Sequence, residues 1–250
     1  MKKILSLDKV YKIYKEEGRR EFTALRDISF SVHDKEFLIL LGPSGSGKST
    51  ILRILSGLDT ASSGKVIHDE IIDKKDIQFV FQQSAVLPWL TVSKNVELGL
   101  IGRNVDQSKR NKMVLDELTE FGLHNFAHSQ PRELSGGMKQ RVGLARAFVT
   151  EPKLTFLDEP FSELDFFTAA DLRKELLRLW KEHEAAAVMV SHNIDEAIEL
   201  ADRIIVMSAN PGEIKEIVVN DLLRPRNSRT PEFFVMQDKL RNLLTPKIIK

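Results

Sequence analysis

Short apolar runs separated by turn signals fill the chain from Ile4 to about Phe81. Ile28-Ser29-Phe30-Ser31-Val32 alternates with period two, as a half-buried strand does, and His33-Asp34-Lys35-Glu36 reads as the turn behind it. Phe37-Leu38-Ile39-Leu40-Leu41 is unbroken apolar, which predicts a strand covered on both faces. After Gln82 the texture changes. Val114, Leu115, Leu118 and Phe121 recur at helical spacing, and strand-like runs cease until Leu154. Strands then return at Lys153 to Leu157 and Ala187 to Val190, and Asp165 to Trp180 predicts an amphipathic helix with Leu172, Leu176 and Leu179 on one face. Arg224-Pro225-Arg226-Asn227 breaks the pattern, and a short helical tail follows at about 231–244. The simplest reading is an α/β body interrupted by a helical insertion.

Composition mainly excludes. The chain has 250 residues, 42% hydrophobic and 29% charged, ordinary values for a globular protein of one to two domains. Its 37 Lys and Arg against 36 Asp and Glu leave +1, so no overall field points to nucleic acid. The absence of cysteine removes disulfides, a thiol nucleophile and Cys-based zinc sites. Met1 to Lys9 has no signal-peptide core, and no run approaches the apolar length of a membrane helix. The expectation is a soluble, cytoplasmic chain that meets a membrane only through partners.

Gly42-Pro43-Ser44-Gly45-Ser46-Gly47-Lys48-Ser49 fits G-x-x-x-x-G-K-[ST], between the buried strand and the helical run Thr50 to Leu55. Glycines let backbone N–H groups close around phosphate oxygens, and the following helix adds its positive N-terminus. Lys48 supplies a charge for the β- and γ-phosphates, and the Ser49 hydroxyl suits Mg²⁺. Further on, Lys153-Leu154-Thr155-Phe156-Leu157 ends in Asp158-Glu159-Pro160. A strand-end Asp holds the magnesium shell in phosphate-loop enzymes, and a neighbouring carboxylate can act as general base on water. Standing alone, the Asp-Glu pair would read as a solvated turn.

Leu134-Ser135-Gly136-Gly137-Met138-Lys139-Gln140-Arg141 lies between these motifs and precedes the apolar helix of Val142, Leu144, Ala145, Ala147 and Phe148. Free N–H groups at that helix start favour an anion, though a capping serine with two loop glycines has the same composition. With this string the whole chain resembles the ATP-binding subunits of ABC transporters, whose signature reads LSGGQxQR; Met138 replaces the usual first Gln. Gln82 matches the family's Q-loop, Ser162-Glu163-Leu164-Asp165 its D-loop, and His192 in Val190-Ser191-His192 its switch histidine. Tyr14 matches the aromatic that stacks on adenine, with Tyr11 a near alternative. Glu163 departs from the small residue usual at its D-loop position. Ser191-His192-Asn193-Ile194-Asp195-Glu196-Ala197, Ser208-Ala209-Asn210-Pro211-Gly212 and Arg224-Pro225-Arg226 resemble the nitrate/sulfonate/taurine importers of the family.

The resemblance implies a RecA-like phosphate-loop core at about 1–85 and 151–220, with an N-terminal antiparallel β portion. It adds a helical subdomain at about 86–150 and a tail at about 221–250, all within one ABC ATPase domain. It implies that Tyr14, Gly42, Pro43, Ser44, Gly45, Ser46, Gly47, Lys48, Ser49 and Thr50 bind ATP. Ser49, Gln82 and Asp158 would hold Mg²⁺, while Glu159, His192 and Gln82 serve catalysis. Ser135, Gly136 and Gly137 would reach the γ-phosphate held by a second ATP-binding subunit, which makes a head-to-tail homodimer the working form. The partners implied are a membrane permease and, through it, an extracytoplasmic solute-binding protein, with no nucleic acid. The expected place is the cytoplasmic face of the membrane, as a peripheral subunit.

Two rivals differ in class. A ribosome- or repair-type ABC ATPase would carry tandem cassettes or a long coiled coil, and a small phosphate-loop kinase would lack the signature. Leu87 to Val92 reads as packing of the insertion or, by resemblance, as part of the groove for the permease. His124 and His128, spaced i and i+4, read as helix-surface residues without a third metal ligand. Seven Lys/Arg against three Asp/Glu from Asp221 to Lys250 read as a solvated end.

Overall fold

A computed structural model of the chain describes residues 2–15, 21–69, 72–103 and 105–245. Its strands are β1 (Lys3–Tyr14), β2 (Phe22–His33), β3 (Phe37–Leu41), β4 (Ser63–His68), β5 (Ile77–Val80), β6 (Leu154–Asp158), β7 (Ala186–Ser191), β8 (Arg203–Met207) and β9 (Ile214–Val219). Its helices are α1 (Lys48–Leu55), α2 (Val92–Ile101), α3 (Gln107–Glu120), α4 (Gly136–Phe148), α5 (Phe166–Glu182), α6 (Ile194–Leu200) and α7 (Pro231–Leu244). The chain divides into two compact units, Met1–Ile72 with Ala186–Lys250, and Asp73–Ala185.

In the first unit β1 is antiparallel to both β2 and β4. The alternation at Ile28 to Val32 does what it predicts, since Ile28, Phe30 and Val32 are buried while Ser29 is exposed. β3 runs parallel to β7 and β8, and β9 closes the β8 edge antiparallel. All five residues of β3 and all six of β7 are buried, which is why neither alternates. Leu41 lies opposite Ser191, so the loops that follow β3 and β7 leave the same sheet edge at one level. That edge, at the carboxyl ends of parallel strands, is where such sheets bind ligands.

The second unit pairs β5 with β6 in parallel and carries α2 to α5. Phe79 of β5 and Phe156 of β6 pack with tilted rings, centroids 6.3 Å apart. α2 lies close against α4 because Gly99 has no side chain: a Cβ there would stand 2.3 Å from the Arg146 carbonyl oxygen. Leu172, Leu176 and Leu179 are buried along α5, and Asp165 is its N-cap, accepting from the N–H groups of Phe167 and Thr168 at 3.1 Å each.

The helical spacing of Val114, Leu115, Leu118 and Phe121 falls on α3 and its C-cap, with Leu115 exposed and the other three buried. One expectation is corrected. His124 and His128 do not share a helix face. α3 stops at Glu120, Gly122 takes φ +66°, and the Leu123 N–H donates back to Leu118 O at 2.7 Å, a Schellman-type ending. His124 then opens a 3-10 turn, His124–Phe126, and His128 follows it. Among the described residues no helix is long and apolar enough to cross a membrane.

Glu117 is the unusual carboxyl of this unit. Its Oε1 is buried without a hydrogen-bond partner. Burial pushes it up to about 8, and repulsion from Glu120 and Glu151 outweighs the attraction of Arg178. The folded chain therefore keeps a proton that the unfolded chain, near 4.5, releases. Stability is lost as pH rises from that value to about 8 and levels off above it. Glu117→Gln should remove this loss, leaving the variant roughly 1–3 kcal/mol more stable than the parent at pH 8 and close to it at pH 4.5. Urea unfolding at both pH values checks it; parallel curves would exclude a protonated Glu117.

Candidate nucleotide-binding site

The turn after β3 is built from residues that few other types could replace. Gly45 and Gly47 have φ of +78° and +79°, and Gly47 caps α1. A Cβ on Gly47 would lie 2.4 Å from Leu25 Cδ2, so close packing against β2 adds to the conformational demand. Pro43, Ser44 and Gly45 form the exposed crest, with Ser46 and Lys48 buried beneath. The Lys48 ammonium folds into the loop and donates to Gly42 O at 2.9 Å and Pro43 O at 3.0 Å. Ser46 Oγ is buried with no hydrogen-bond partner, an orphaned donor within the turn. Ser49 and Thr50 stand in the first turn of α1. A cation, a helix start, left-handed glycines and an orphaned hydroxyl are what a polyphosphate requires.

Two further candidate residues, His192 and Tyr14, belong to this unit. The Gly42 N–H donates to Ser191 O at 3.4 Å, which sets the exposed His192 one residue from the loop's first strand partner. Tyr14 ends β1, 40% exposed, with its hydroxyl donating to Asp59 Oδ2 at 3.2 Å and Lys12 Nζ 4.9 Å from its ring centroid. Burial alone would raise the Asp59 carboxyl, but hydrogen bonds from Lys12, the Thr60 N–H and Tyr14 hold it below the ordinary carboxylate value. Tyr11 is half-buried within the strand and lies opposite Ser63 of β4. Of the two, Tyr14 presents the open ring.

In the second unit Asp158 closes β6 and is buried. Glu159 follows at φ +44°, a backbone state that L-residues rarely occupy. Gln82 reaches the same turn: its Nε2 donates to Ser162 Oγ at 3.4 Å, and Ser162 Oγ donates to Glu159 O at 3.0 Å. Gln82 and the Asp-Glu turn, far apart in sequence, are thus brought together. Ser135 caps α4 by accepting from the Met138 N–H at 3.3 Å, leaving Gly136 and Gly137 in the first turn. A Cβ on Gly137 would stand 2.6 Å from Thr168 Cγ2, and Thr168 Oγ1 donates to Asp165 Oδ2 at 2.6 Å. The signature helix and the D-loop therefore meet at one glycine.

A family model described as ABC transporter matches residues 25–162, from Leu25 in β2 to the D-loop serine. The chain belongs to the ABC transporter family. An aliphatic sulfonates import ATP-binding protein of Bacillus thuringiensis subsp. konkukian is 41% identical, over 86% of each chain. A nitrate import ATP-binding protein of Synechocystis is 39% identical, over 90% of each. Among solved structures, a dimeric ATP-binding cassette in a post-hydrolysis state bound to ADP and Pi superposes with a TM-score of 0.77 at 34% identity, covering 88% of this chain and 100% of that one. The fold is that of an ABC ATPase cassette, mixed α/β around a parallel sheet.

Three positions of this ABC ATPase have structural roles that sequence reasoning did not assign, Gly212 having entered only within a family-like string. Asn95, fully buried in α2, accepts from the Leu87 N–H at 2.7 Å and donates to the carbonyls of Leu87, Leu90 and Thr91. Arg146 holds the other side of the same loop through Ser84 O and Ala85 O, and burial lowers its pKa. Between them Trp89 is displayed 71% exposed. An Asn inside an apolar helical run was the available signal. The third is Gly212, where a Cβ would lie 2.3 Å from Ser46 O.

Lys48→Ala should abolish productive ATP binding, measured by fluorescent-nucleotide titration, since the phosphates lose their side-chain counter-charge. Gly212→Ala should cost roughly 1–3 kcal/mol in urea unfolding, because the intruding methyl meets backbone rather than a yielding side chain.

Proposed function

We propose that this ABC ATPase hydrolyses ATP as a head-to-tail pair of chains and thereby drives a separate membrane permease that imports a small solute. The phosphate loop carries the proposal, with Lys48 held inside it and Ser46 Oγ orphaned beneath it. Relatives named for importing sulfonates and nitrate support a small oxyanion as cargo, delivered by an extracytoplasmic binding protein. The absence of a membrane-crossing helix among the described residues leaves passage of the solute to a partner.

Tyr14 stacks on adenine, and the amides of the Gly42-to-Ser49 turn with Lys48 hold the phosphates for in-line attack. Ser49, Gln82 and Asp158 would hold Mg²⁺, which supplies Lewis-acid neutralisation of phosphate oxygens when bound. Glu159 accepts a proton from the attacking water as its oxygen bonds to the γ-phosphorus and the bond to the ADP oxygen breaks. His192 donates a hydrogen bond to a γ-phosphate oxygen. The helix start at Ser135, Gly136 and Gly137 of the second copy directs N–H groups at the same phosphate, so the site is complete only in the pair. ATP favours the closed pair because it contacts both copies there.

Glu159→Gln should retain ATP binding, lose hydrolysis by about a hundredfold or more, and form an ATP-dependent dimer on size-exclusion chromatography. A variant that stays monomeric with ATP at high protein concentration would overturn the paired mechanism. Glu163 is exposed on its own chain, so in the Glu159→Gln background Glu163→Ala should change the dimerisation constant less than about threefold.

A further inference from the structure

The segment from Asn220 to Gln237 takes no part in the chemistry above, yet it grips both ends of α6. Arg226 Nη1 donates to the carbonyls of Ile198 at 2.9 Å, Glu199 at 3.3 Å and Ala201 at 2.6 Å. Its Nε donates to Leu222 O at 2.8 Å and its Nη2 to Asn220 O at 3.3 Å, so the guanidinium is itself fixed by the segment that carries it. The buried Asn220 amide adds donations to Ile198 O at 2.8 Å and Ala201 O at 3.0 Å. Arg224 donates to Leu200 O and to the Asp202 carboxylate. Asp202 in turn accepts from the Phe37 N–H at 2.9 Å, at the start of the strand that leads to the phosphate loop. At the other end, Gln237 Nε2 of α7 donates to Asp195 Oδ1 at 2.6 Å.

These contacts matter because α6 has only seven residues. A helix that short has almost no stability of its own, and its last carbonyls carry the negative end of the helix dipole. A cation that satisfies them fixes where the helix stands. Burial, with Arg224 close by, lowers Arg226 to about 10, so it remains a cation at neutral pH. The first turn of α6 is tied rigidly to the residues on either side of His192. Ser191 Oγ accepts from the Asn193 N–H at 3.0 Å and donates to Glu196 Oε2 at 2.7 Å. Asn193 Oδ1 accepts from the N–H groups of Asp195 and Glu196. Whatever moves α6 therefore moves the backbone that carries His192.

We infer that the Arg224–Arg226 strap, with Asn220 and Gln237, is a clamp that positions His192 through α6, so that loosening it slows hydrolysis without weakening ATP binding. Arg226 and Gln237 are then positioning residues, and this role rests on the proposed contact between His192 and the γ-phosphate. A misplacement on the order of 1 Å at a catalytic group can cost about a hundredfold, so even a slight loosening is measurable.

The test is a double-mutant cycle on the full chain, with ATP affinity from fluorescent-nucleotide titration and hydrolysis from single-turnover rates. Arg226→Gln should slow hydrolysis about tenfold or more with affinity changed less than about threefold, and Arg226→Lys, which keeps the cation but not the fork, should fall between it and the parent. Gln237→Leu removes one hydrogen bond at the opposite end and should slow hydrolysis about threefold; it carries the cycle if Arg226→Gln fails to fold. In a His192→Ala background either change should slow the residual rate no further. Losses that multiply in both backgrounds, or a fall in affinity with the rate unchanged, would overturn the clamp. A His192→Ala chain that hydrolyses ATP at the parental rate would instead overturn the role of His192 itself.

Discussion

The first unit depends on a close approach of backbones around Ala24 and Leu25. Gly212 N–H donates to Ala24 O at 2.9 Å, and the Arg26 N–H returns to Gly212 O at 2.9 Å. Gly47 packs against Leu25 from the phosphate loop, and Gly212 against the Ser46 carbonyl. Three segments thus converge with no room for a Cβ at either glycine. The loop holds its shape because the chain behind it cannot retreat, the kind of preorganisation that a phosphate-binding turn requires. Lys48 benefits from the same rigidity, since its ammonium is already satisfied by two carbonyls of the loop it serves.

Elsewhere the functional segments are set by helix starts and strand ends. Ser135, Asp165 and Asn193 are each an N-cap whose side chain accepts from the first turn of its helix. Ser135 and Asn193 also border residues with proposed roles in ATP hydrolysis, Gly136 and His192. A single side chain thereby fixes the backbone of the functional loop and the start of the helix that supports it. Glu159 is the strained member, held in the left-handed region by the Ser162 hydrogen bonds to its carbonyl. Strain at a residue beside a buried Asp is consistent with a carboxylate whose direction matters more than its local comfort.

Polar groups buried in both units serve loops more than the core. Asn95 saturates its amide on the turn that displays Trp89, and Arg226 saturates its guanidinium on the end of α6. Such groups are costly to bury unless fully bonded, and once bonded they specify one geometry. Glu117 is the contrasting case, a carboxyl that escapes the cost by keeping its proton.

Much of this protein was legible in the chain because its signals are local. The phosphate loop lies within eight residues, the Ser-Gly-Gly helix start within three, and the buried strands announce themselves as unbroken apolar runs. Their spacing and neighbours sufficed for the α/β class and the phosphate loop, and the resemblance carried by the further motifs supplied the family and the remaining candidate residues. Tertiary structure decided what depends on residues distant in sequence. Nothing near Gly212 in the chain reveals the Ser46 carbonyl it must clear, and the bonds from Arg226 to Ile198 and from Arg146 to Ser84 span 28 and 62 residues. His124 and His128 were misplaced for a related reason: i, i+4 spacing predicts a shared face only while the helix continues, and Gly122 had already ended it. Periodicity reports which face is apolar, but a backbone approach or a buried amide has no period, and only packing shows where it lands.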